Sequence, residues 1–393
     1  RSRSQSVVSP LDCDVLIVGA GIAGASLAWH LGAQRRVVLL ERESLPGAHA
    51  TGRSAAIFSE LYGDPVVRAL TRASRAFLET PPPGFSETPL LSPRGILHLA
   101  RDDQRGLLAD LARDAEVSRV AAQTLSAQET RRRVPILRES YVSAAVLERD
   151  AKDIDVHALH QGYLRGAKSA GVQLCTDAAF LRAERTPTGW SVEMTQGRIA
   201  AAILVDAAGA WADAVARDSG VAPLGLAPCR RTMAVVPLSG PVRDWPFVVD
   251  IGEAFYFKPE SGGLLLSPCD ETPSPPGDAA PDEIDIAIGI DRVQQAADIE
   301  VRRVLRAWAG LRSLLSDRLP AVGFDPRVPG FFWLAGQGGF GIQTAPALGA
   351  LGAALILERA LPDFADEHCI DPTALVPGRF AQTGEPRTDD GRR

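Results

Sequence analysis

The segment DVLIVGAGIAGASLAWHLGAQRRVVLLERE, residues 14–43, contains a strand, a glycine-rich turn, a helix and a second strand in that order. Residues 14–18 form a short β-branched run that is typical of a strand buried on both faces. The helix is predicted over residues 23–31, ending near Gly32, and the second strand over residues 37–40. The segment therefore predicts the first unit of an α/β fold.

The turn GAGIAG follows the first strand at once, and each of its glycines has a separate task. Gly19 allows the tight turn, Gly21 lets the backbone approach a pyrophosphate, and Gly24 lets the helix pack closely on the sheet. The phosphate is expected at the helix N-terminus, which favours an anion. Such turns also arise for packing reasons alone, but the strand before it and the helix after it favour a dinucleotide site.

Glu41 ends the second strand about 20 residues beyond the glycines, where a carboxylate can bind both hydroxyls of a ribose. An acidic residue here disfavours NADP and leaves NAD and FAD open.

Three later segments favour a flavin: TGRSAAIFSE at 51–60, AAILVDAAGAWAD at 201–213 and GQGGFGIQTAP at 336–346. The first is small and polar where a nicotinamide-binding fold would continue into another strand and helix. The second is a buried strand ending in a glycine turn, and the third follows the apolar run FFWLA.

Composition limits the number of domains, the kinds of partner and the kinds of site that the chain can have. The chain has 393 residues, of which 46% are hydrophobic, so it can bury a large core in two to three domains. A net charge of −6 gives no basic surface for nucleic acid or for anchoring to a membrane, which leaves small molecules as the expected partners. The five cysteines are scattered, so neither a disulfide framework nor a metal site is predicted.

The expected location is the cytoplasm. The first residues, RSRSQSVVSPLDC, lack the apolar core of a signal peptide. No apolar run reaches the ~18 residues that a membrane helix needs, although association with a membrane surface stays open.

In these motifs the chain resembles the FAD-dependent D-amino acid oxidase and dehydrogenase superfamily. Within it, the chain is most similar to bacterial D-amino acid dehydrogenases of the D-arginine dehydrogenase type. The resemblance extends from residue 14 to about residue 371. It rests on GAGIAGAS, TGRSAA, VRALTRASRAF, PLLSPR, LHQGYLRG, AAGAWADAVA, PLGLAPCRR, FYFKP, WAGLRS and GQGGFGIQT.

The resemblance implies two interleaved domains. A Rossmann-like FAD-binding domain takes residues 12–87, 143–226 and 313–375. An α+β substrate domain on a mainly antiparallel sheet takes residues 88–142 and 227–312, and alternation in RTMAVVPL and EAFYFKP supports strands there. The Pro- and acid-rich residues 270–285 are expected to form a solvated connection. Residues 1–11 and 382–393 are expected to be disordered.

The resemblance also implies a non-covalent FAD, because the glycine-rich segments contain no cysteine or histidine for a covalent link. The residues implied to hold it come from seven parts of the chain. They are Gly19, Gly21, Ile22, Ala23, Gly24, Glu41, Arg42, Thr51, Arg53, Ser54, Ala55, Ala56, Ala179, Ala208, Gly209, Trp211, Gly310, Gly338, Gly339, Phe340, Gly341, Ile342, Gln343 and Thr344.

The glycines of GQGGFGIQT are expected to pass beside the isoalloxazine ring, where side chains would collide with it. Backbone N–H groups and the following helix N-terminus would then face the N1–C2=O edge and stabilise the negative charge of the reduced flavin. Gly336, Gly338, Gly339 and Gly341 would carry this role. The alternative is a plain glycine hinge before a buried helix.

The resemblance assigns the substrate site to two arginines and two tyrosines. Arg231 and Arg312 would clamp a substrate carboxylate, for which the planar guanidinium is suited. Arg230 is the alternative to Arg231, but consecutive residues of a strand point to opposite faces, so only one of them should face the site. Tyr256 would donate a hydrogen bond to the carboxylate, with cross-strand packing as the alternative, and Tyr62 would lie on a covering loop.

The side-chain pocket departs from the D-arginine type. Ile96 stands where those enzymes carry a glutamate, and Ile57 where they carry a histidine. With Phe247 nearby, the pocket should prefer uncharged and mainly apolar side chains. No general base can be assigned, because His98 falls in a predicted strand and His157 and His160 are best interpreted as ordinary helix residues.

The predicted activity is oxidation of a D-amino acid to the imino acid by hydride transfer to FAD N5, followed by hydrolysis to the 2-oxo acid. The alternative is oxidation of a secondary amine of the sarcosine or proline type, or of a 2-hydroxy acid. The electron acceptor is open between oxygen, a quinone and a dye. A non-enzymatic flavin-binding regulator is disfavoured by the pair of arginines.

Overall fold

A computed structural model describes residues 11–380 apart from 239, 241 and 261. The predicted disordered ends lie outside this range except for Leu11, which is the first residue of a strand. The strands in the described range are β1 Leu11–Val18, β2 Val37–Leu40, β3 Ile57–Phe58, β4 Leu91–Pro93, β5 Ile96–Ala100, β6 Ala122–Ser126, β7 Ala144–Glu148, β8 Lys152–Ile154, β9 Gln173–Cys175, β10 Phe180–Thr186, β11 Gly189–Met194, β12 Gly197–Asp206, β13 Ala227–Val236, β14 Phe247–Asp250, β15 Tyr256–Glu260, β16 Gly263–Ser267, β17 Thr272–Pro273, β18 Arg306–Leu314, β19 Ala321–Phe324 and β20 Phe331–Ala335.

Helices separate these strands. They are α1 Ile22–Leu31, α2 Pro65–Glu79, α3 Arg105–Val117, α4 Ala127–Arg133, α5 Val156–Ser169, α6 Ala212–Arg217, α7 Glu283–Ala296, α8 Gly341–Ile356 and α9 Phe364–Glu367. The described helices include none that is both long and apolar enough to cross a membrane.

The first sheet has eight strands within the described residues and is parallel at its centre. β1 lies between β12 and β2, and all three run in the same direction. β9 and β20 extend the parallel arrangement, while β10, β11 and β19 pair antiparallel. The strands β2 and β20 are buried on both faces, as their continuous apolar runs predict.

Helix α1 is apolar around its whole circumference, which is typical of a helix enclosed by other elements. It packs between the first sheet and helices α5 and α8. The buried cluster on this side includes Val15, Leu27 and Leu348, and a second cluster covers the opposite face of the sheet. Sheet and helices together form the layered α/β architecture that the sequence predicts.

A second sheet has nine strands in the described part of the chain, in the order β17-β13-β16-β15-β14-β5-β7-β6, with β18 also paired to β13. It is antiparallel except where β14 meets β5. A third, small sheet contains β3, β8 and β4. The α/β fold with a mainly antiparallel second sheet is thus confirmed.

The strand pairing differs from the predicted domain division at one boundary. β7 pairs with β5 and β6 in the second sheet, whereas residues 143–148 were assigned to the FAD-binding domain. The reason is that the strands that pair with β7 lie elsewhere in the chain, so no local signal in residues 143–148 shows which sheet the strand joins. The division into two functional domains otherwise stays a prediction.

Candidate functional site

Two adjoining cavities lie between the large sheets, at the carboxyl ends of the parallel strands, where ligands of α/β proteins bind. The larger has a volume of about 540 Å³ and the smaller about 290 Å³. Gly21, Thr51, Gly209 and Gly310 line both. A long ligand could therefore extend from one cavity into the other.

The turn after β1 needs its glycines for reasons visible in the contacts. Gly19 has a φ of +101°, and a Cβ atom there would lie 2.6 Å from the carbonyl oxygen of Ala207. A Cβ atom on Gly24 would lie 1.9 Å from the carbonyl oxygen of Gly19. Gly24 lines neither cavity, so its role is close packing of α1 on the turn.

The N-terminus of α1 opens onto both cavities. The backbone N–H of Ile22 donates to the hydroxyl of Thr51 at 3.0 Å, and Gly21 lines each cavity. His160 Nε2 lies 2.8 Å from the carbonyl oxygen of Ala20. Burial lowers the pKa of His160, so the neutral ring donates to this carbonyl and supports the turn.

Glu41 is a buried carboxylate at the end of β2, and it lines the smaller cavity. It accepts hydrogen bonds from the backbone N–H groups of Ala20 and Glu43 at 3.2 and 3.0 Å. Burial raises the pKa of this carboxyl group, so further donors would stabilise its ionised form. A ribose can supply such donors through its hydroxyl groups.

Planar side chains form one wall of the smaller cavity. The rings of His49 and Trp211 have centroids 4.8 Å apart, and the guanidinium of Arg42 lies 4.8 Å from the centre of the Trp211 ring. His49 was missed in the sequence, where no local motif marks it. Such flat surfaces are suited to stacking with a base.

Residues 270–285 do not form a mere solvated connection, and this prediction was wrong. The segment contains β17 and the start of α7, and Gly277 and Ala279 line the smaller cavity. Arg53 donates to the carbonyl oxygen of Ala279 at 2.8 Å and pairs with Asp278. Several acidic residues of this segment pair with arginines from other parts of the chain, which composition alone does not reveal.

The glycine-rich turn before α8 packs against β18. Gly336 and Gly338 have φ values of +74° and +55°. A Cβ atom on Gly336 would lie 2.6 Å from the side chain of Leu315, and one on Gly339 would lie 2.7 Å from Cζ of Arg312. The bare backbone is therefore required by protein neighbours of the turn. Gly336 lines neither cavity, so the structure gives no support for its expected contact with the flavin.

Helix α8 begins at this turn and points its N-terminus at the larger cavity, which Gly341, Ile342 and Gln343 line. Gln343 is 3% exposed, and its Oε1 accepts from the N–H of Ser59 at 3.1 Å. Its Nε2 has no partner among the described residues. A buried donor without a partner is costly, so an acceptor on a bound group would complete this site.

The two predicted clamp arginines differ in how their charge is balanced. Arg231 is 4% exposed and donates to the carbonyl oxygen of Asp270 at 2.8 Å and to the carboxylate of Glu271 at 3.1 Å. Arg312 donates to the Tyr62 hydroxyl at 3.1 Å. No carboxylate lies within 4.0 Å of Arg312 in the described part of the chain.

Tyr256 lies beside both arginines. Burial raises its pKa to about 12, although Arg312 and Arg231 oppose the rise. The hydroxyl is therefore neutral and available as a donor. The ring of Tyr62 lies 4.8 Å from that of Phe340, which itself lines neither cavity.

Arg230 points away from the cavities and pairs with Asp285 at 2.6 Å. Arg231 lines the larger cavity instead, as the alternation along β13 predicts.

The apolar wall of the larger cavity contains the three predicted pocket residues, Ile57, Ile96 and Phe247, together with Met233 and Val249. Sequence analysis missed the far end of the cavity. Helix α3 presents one face there through residues spaced i, i+3, i+4 and i+7, namely Leu107, Asp110, Leu111 and Asp114. His98 also lines this end, and alternation on β5 could have found it, since it shares a strand face with Ile96.

Nearly all the predicted site residues line at least one of the two cavities; the exceptions are Gly24, Gly336, Phe340 and Thr344. Thr344 is buried in the first turn of α8, where its hydroxyl donates to the carbonyl oxygen of Phe340 at 2.9 Å. Two helix N-termini, a buried carboxylate and an unpartnered amide thus surround a cleft suited to a dinucleotide with a polar ring system.

Comparisons with known proteins agree with this geometry. Residues 14–355 match the family model described as FAD dependent oxidoreductase. The mouse protein named FAD-dependent oxidoreductase domain-containing protein 1 is 25% identical over 90% of this chain and 83% of its own.

Two solved structures share the fold. Glycine oxidase from Geobacillus kaustophilus has a TM-score of 0.81 and 22% identity, and covers 94% of this chain and 99% of its own. L-proline dehydrogenase from P. horikoshii has a TM-score of 0.77 and 21% identity, and the match covers 96% of this chain and 100% of its own. The family match extends over most of the sequence, so the chain belongs to the FAD dependent oxidoreductase family and uses FAD as its cofactor.

Proposed function

We propose that the protein oxidises the α-carbon of a D-amino acid with an uncharged side chain, and that the resulting imino acid hydrolyses to a 2-oxo acid. The family supports a flavin-dependent oxidoreductase. When bound, FAD supplies the hydride acceptor at N5. The α-carbon loses a hydride and the nitrogen loses a proton, so the amine becomes an imine.

The observation that carries this proposal is the position of Arg312. It is partly buried, lines the larger cavity and donates to the hydroxyl of Tyr62, while no carboxylate of the described residues pairs with it. A guanidinium in such a place is costly unless an anion joins it, and a carboxylate matches its two parallel N–H groups. Arg231 already has Glu271, so we assign it to orienting the anion and Arg312 to balancing its charge.

Tyr256 and Tyr62 complete the proposed carboxylate site. The Tyr256 hydroxyl keeps its proton because burial raises its pKa, so it can donate to the carboxylate. Tyr62 lies on the segment before α2, and the Gly63 that follows it has a φ of +93°. We assign Tyr62 to covering the site, where it would exclude water.

The cofactor roles follow from the same arrangement. We assign the pyrophosphate to the N-terminus of α1, the ribose to Glu41 and the flavin ring to the N-terminus of α8. Gly338, Gly339 and Gly341 bring bare backbone to the larger cavity, and Gln343 offers it the free Nε2 donor. No general base is needed if the neutral amine is the reacting form.

The uncharged preference rests on Ile57, Ile96 and Phe247, which form an apolar wall that offers no carboxylate of its own to a cationic side chain. This wall separates the chain from the D-arginine type that its motifs resemble. The assignment of a D-amino acid as the substrate rests on those motifs alone. The relatives are also compatible with a second class of substrate.

Oxidation of a secondary amine is the second candidate. One structural relative is a glycine oxidase and another an L-proline dehydrogenase. An N-alkyl amino acid carries the same carboxylate, so Arg312 would serve it equally well. The electron acceptor can be oxygen, a quinone or a dye for either class.

The test is anaerobic mixing of the FAD-loaded protein with D-, L- and N-methyl amino acids while the flavin absorbance near its long-wavelength maximum is followed. Rapid bleaching by uncharged D-amino acids supports the proposal. Bleaching by N-methyl amino acids or proline alone supports the second candidate. Bleaching only by substrates that lack a carboxylate would contradict both, because neither arginine would then have its proposed role.

A further inference from the structure

The floor of the larger cavity is a row of residues in direct register across the second sheet. Val249 pairs with Tyr256 on one side and with His98 on the other. All three line the cavity, and neighbouring strands are about 4.8 Å apart. His98 therefore lies about 10 Å from Tyr256, two strand spacings away on the same face.

The middle of this floor is apolar. Phe247 pairs with Ile96 in the adjacent row of the same two strands, and both line the cavity. A ligand whose carboxylate lies at Tyr256 and Arg312 would cross Phe247, Val249 and Ile96 before reaching His98. The far end is thus a polar position behind an apolar stretch.

His98 is buried yet lacks a hydrogen bond. It is 8% exposed, and its Nε2 has no hydrogen-bond partner among the described residues. The nearest carboxylate oxygen, Oε2 of Glu148, lies 4.0 Å from this nitrogen. Because Nε2 faces this carboxylate, Nδ1, which also has no hydrogen bond to the described residues, is the nitrogen left for a donor that arrives with the ligand.

Glu148 decides what kind of partner fits. Its carboxylate accepts from the hydroxyl of Ser59 at 2.6 Å and from the N–H of Glu60 at 2.8 Å, which holds it in place. A fixed carboxylate on the Nε2 side favours the tautomer with its proton on Nε2, which leaves Nδ1 as an acceptor. Asp110 and Asp114 of α3 also line the cavity, but they pair with Arg113 and Arg68, so their charges are balanced and an uncharged group fits this end.

We propose that His98 is a specificity-determining residue that accepts a hydrogen bond from an uncharged donor at the end of the substrate side chain. The substrate class is an amino acid with an apolar, preferably aromatic, stem and a terminal hydroxyl or N–H group. This proposal rests on the proposed function, because the carboxylate must occupy the Arg312 end for the donor to reach His98.

The test uses two carboxylic acids that have no amine and so cannot react as the proposed substrate does. The FAD-loaded protein is titrated with 3-(4-hydroxyphenyl)propanoate and with 3-phenylpropanoate, and binding is followed through the flavin absorbance spectrum. The two ligands differ by one hydroxyl group. We expect the phenol to bind about tenfold more tightly, as a hydrogen bond to an otherwise unpartnered buried group predicts.

Three variants identify the residue responsible. His98→Leu should bring the two dissociation constants within about twofold of each other, and His98→Gln, which keeps an acceptor, should restore part of the difference. His157→Leu is the matched control, because His157 is an exposed histidine on α5 and should keep the wild-type ratio. Retained yellow colour and melting temperature show that each variant has folded.

Equal binding of both acids by the wild type, or an unchanged ratio in His98→Leu, would overturn the proposal while leaving the carboxylate site intact. If neither acid changes the spectrum, the Arg312 site itself is wrong, and the proposed function fails together with this inference. Anaerobic reduction by D-tyrosine at least about tenfold more efficient than by D-phenylalanine would support it independently.

Discussion

A Cβ atom on Gly339 would lie 2.7 Å from Cζ of Arg312, so the glycine turn before α8 and the proposed carboxylate ligand are in direct steric contact. The turn thus has two functions at once. It brings α8 to the larger cavity, and it leaves room for a guanidinium that has no carboxylate partner among the described residues.

Gly339→Ala should displace Arg312 from its position at the proposed carboxylate site. Contacts below 3.0 Å force one partner to shift, and Arg312 is the more movable of the two. We expect kcat/KM on a confirmed substrate to fall by about tenfold or more, since a misplaced positioning group has effects of this size. Gly106→Ala is the matched control, because a Cβ atom there meets nothing within 4 Å. Unchanged kinetics in Gly339→Ala would contradict the tight contact.

The two arginines should respond differently to removal. Arg312→Met removes the charge that balances the substrate carboxylate, so kcat/KM should fall by roughly 2–5 kcal/mol of transition-state stabilisation, with FAD still bound. Arg231→Met also leaves Glu271 with Arg318 as its remaining partner, so a lower melting temperature should accompany the loss of activity. Steady-state kinetics and thermal unfolding of both variants check this. Activity within a few-fold of wild type in Arg312→Met would remove it from the site.

The cofactor should be tightly bound but not covalently attached. The segments GAGIAG, TGRSAA, AAGAWAD and GQGGFG contain no cysteine or histidine, and Cys269, which does line the larger cavity, has its pKa raised to about 11 by burial. A neutral thiol is a poor nucleophile, so no covalent link is expected there. Denaturation and filtration should release the yellow colour, identified as FAD by chromatography. Colour that stays with the precipitated protein would contradict this.

The local elements around the turn could be predicted from the sequence because their signals are local. The second strand of the opening unit and the strand FFWLA have the predicted bounds, Val37–Leu40 and Phe331–Ala335, and the helix begins one residue early at Ile22. Glycine spacing, β-branched runs and an acidic strand end are all contained in a few tens of residues.

The parts that could not be predicted depend on contacts between distant residues. Arg53 pairs with Asp278, 225 positions away, and β7 joins the second sheet through pairing with β5. Neither partner carries a signal of its own in the sequence. The polar end of the cavity was missed for a different reason. Ile96 was compared with a position of the resembling enzymes, whereas His98, two residues further along, was interpreted as an ordinary strand residue.

Ile96→Glu should shift preference toward D-arginine, but the structure limits the size of the effect. Ile96 pairs directly with Glu148 across β5 and β7, so the new carboxylate would lie beside a buried one. Repulsion between the two carboxylates opposes ionisation of the new carboxyl group. We expect the ratio of kcat/KM for D-arginine over D-phenylalanine to rise by about tenfold, since a new ion pair is partly offset by its own desolvation. Ile96→Gln is the uncharged control, and an equal shift in both variants would exclude the charge as the cause.

Asp206 should make stability depend on pH. It is fully buried at the end of β12, its Oδ1 accepts from the N–H of Ala208 at 3.1 Å, and its Oδ2 has no partner among the described residues. Burial, with a smaller contribution from Asp213, raises its pKa well above the usual range. The folded protein therefore holds a proton that the unfolded chain releases above about pH 4. Stability should fall as the pH rises from there to the raised pKa, because folded protein binds more protons in this window.

Asp206→Asn keeps the shape of the protonated carboxyl group but does not titrate, so it should remove this dependence. We expect the melting temperature of the variant relative to wild type to rise steadily between pH 4.5 and pH 8, with the variant the more stable at the upper end. Asp150→Asn is the matched control, because Asp150 is exposed and its loss should leave the pH profile parallel to that of the wild type. Parallel profiles for Asp206→Asn as well would show that the Asp206 carboxyl group ionises normally in the folded protein.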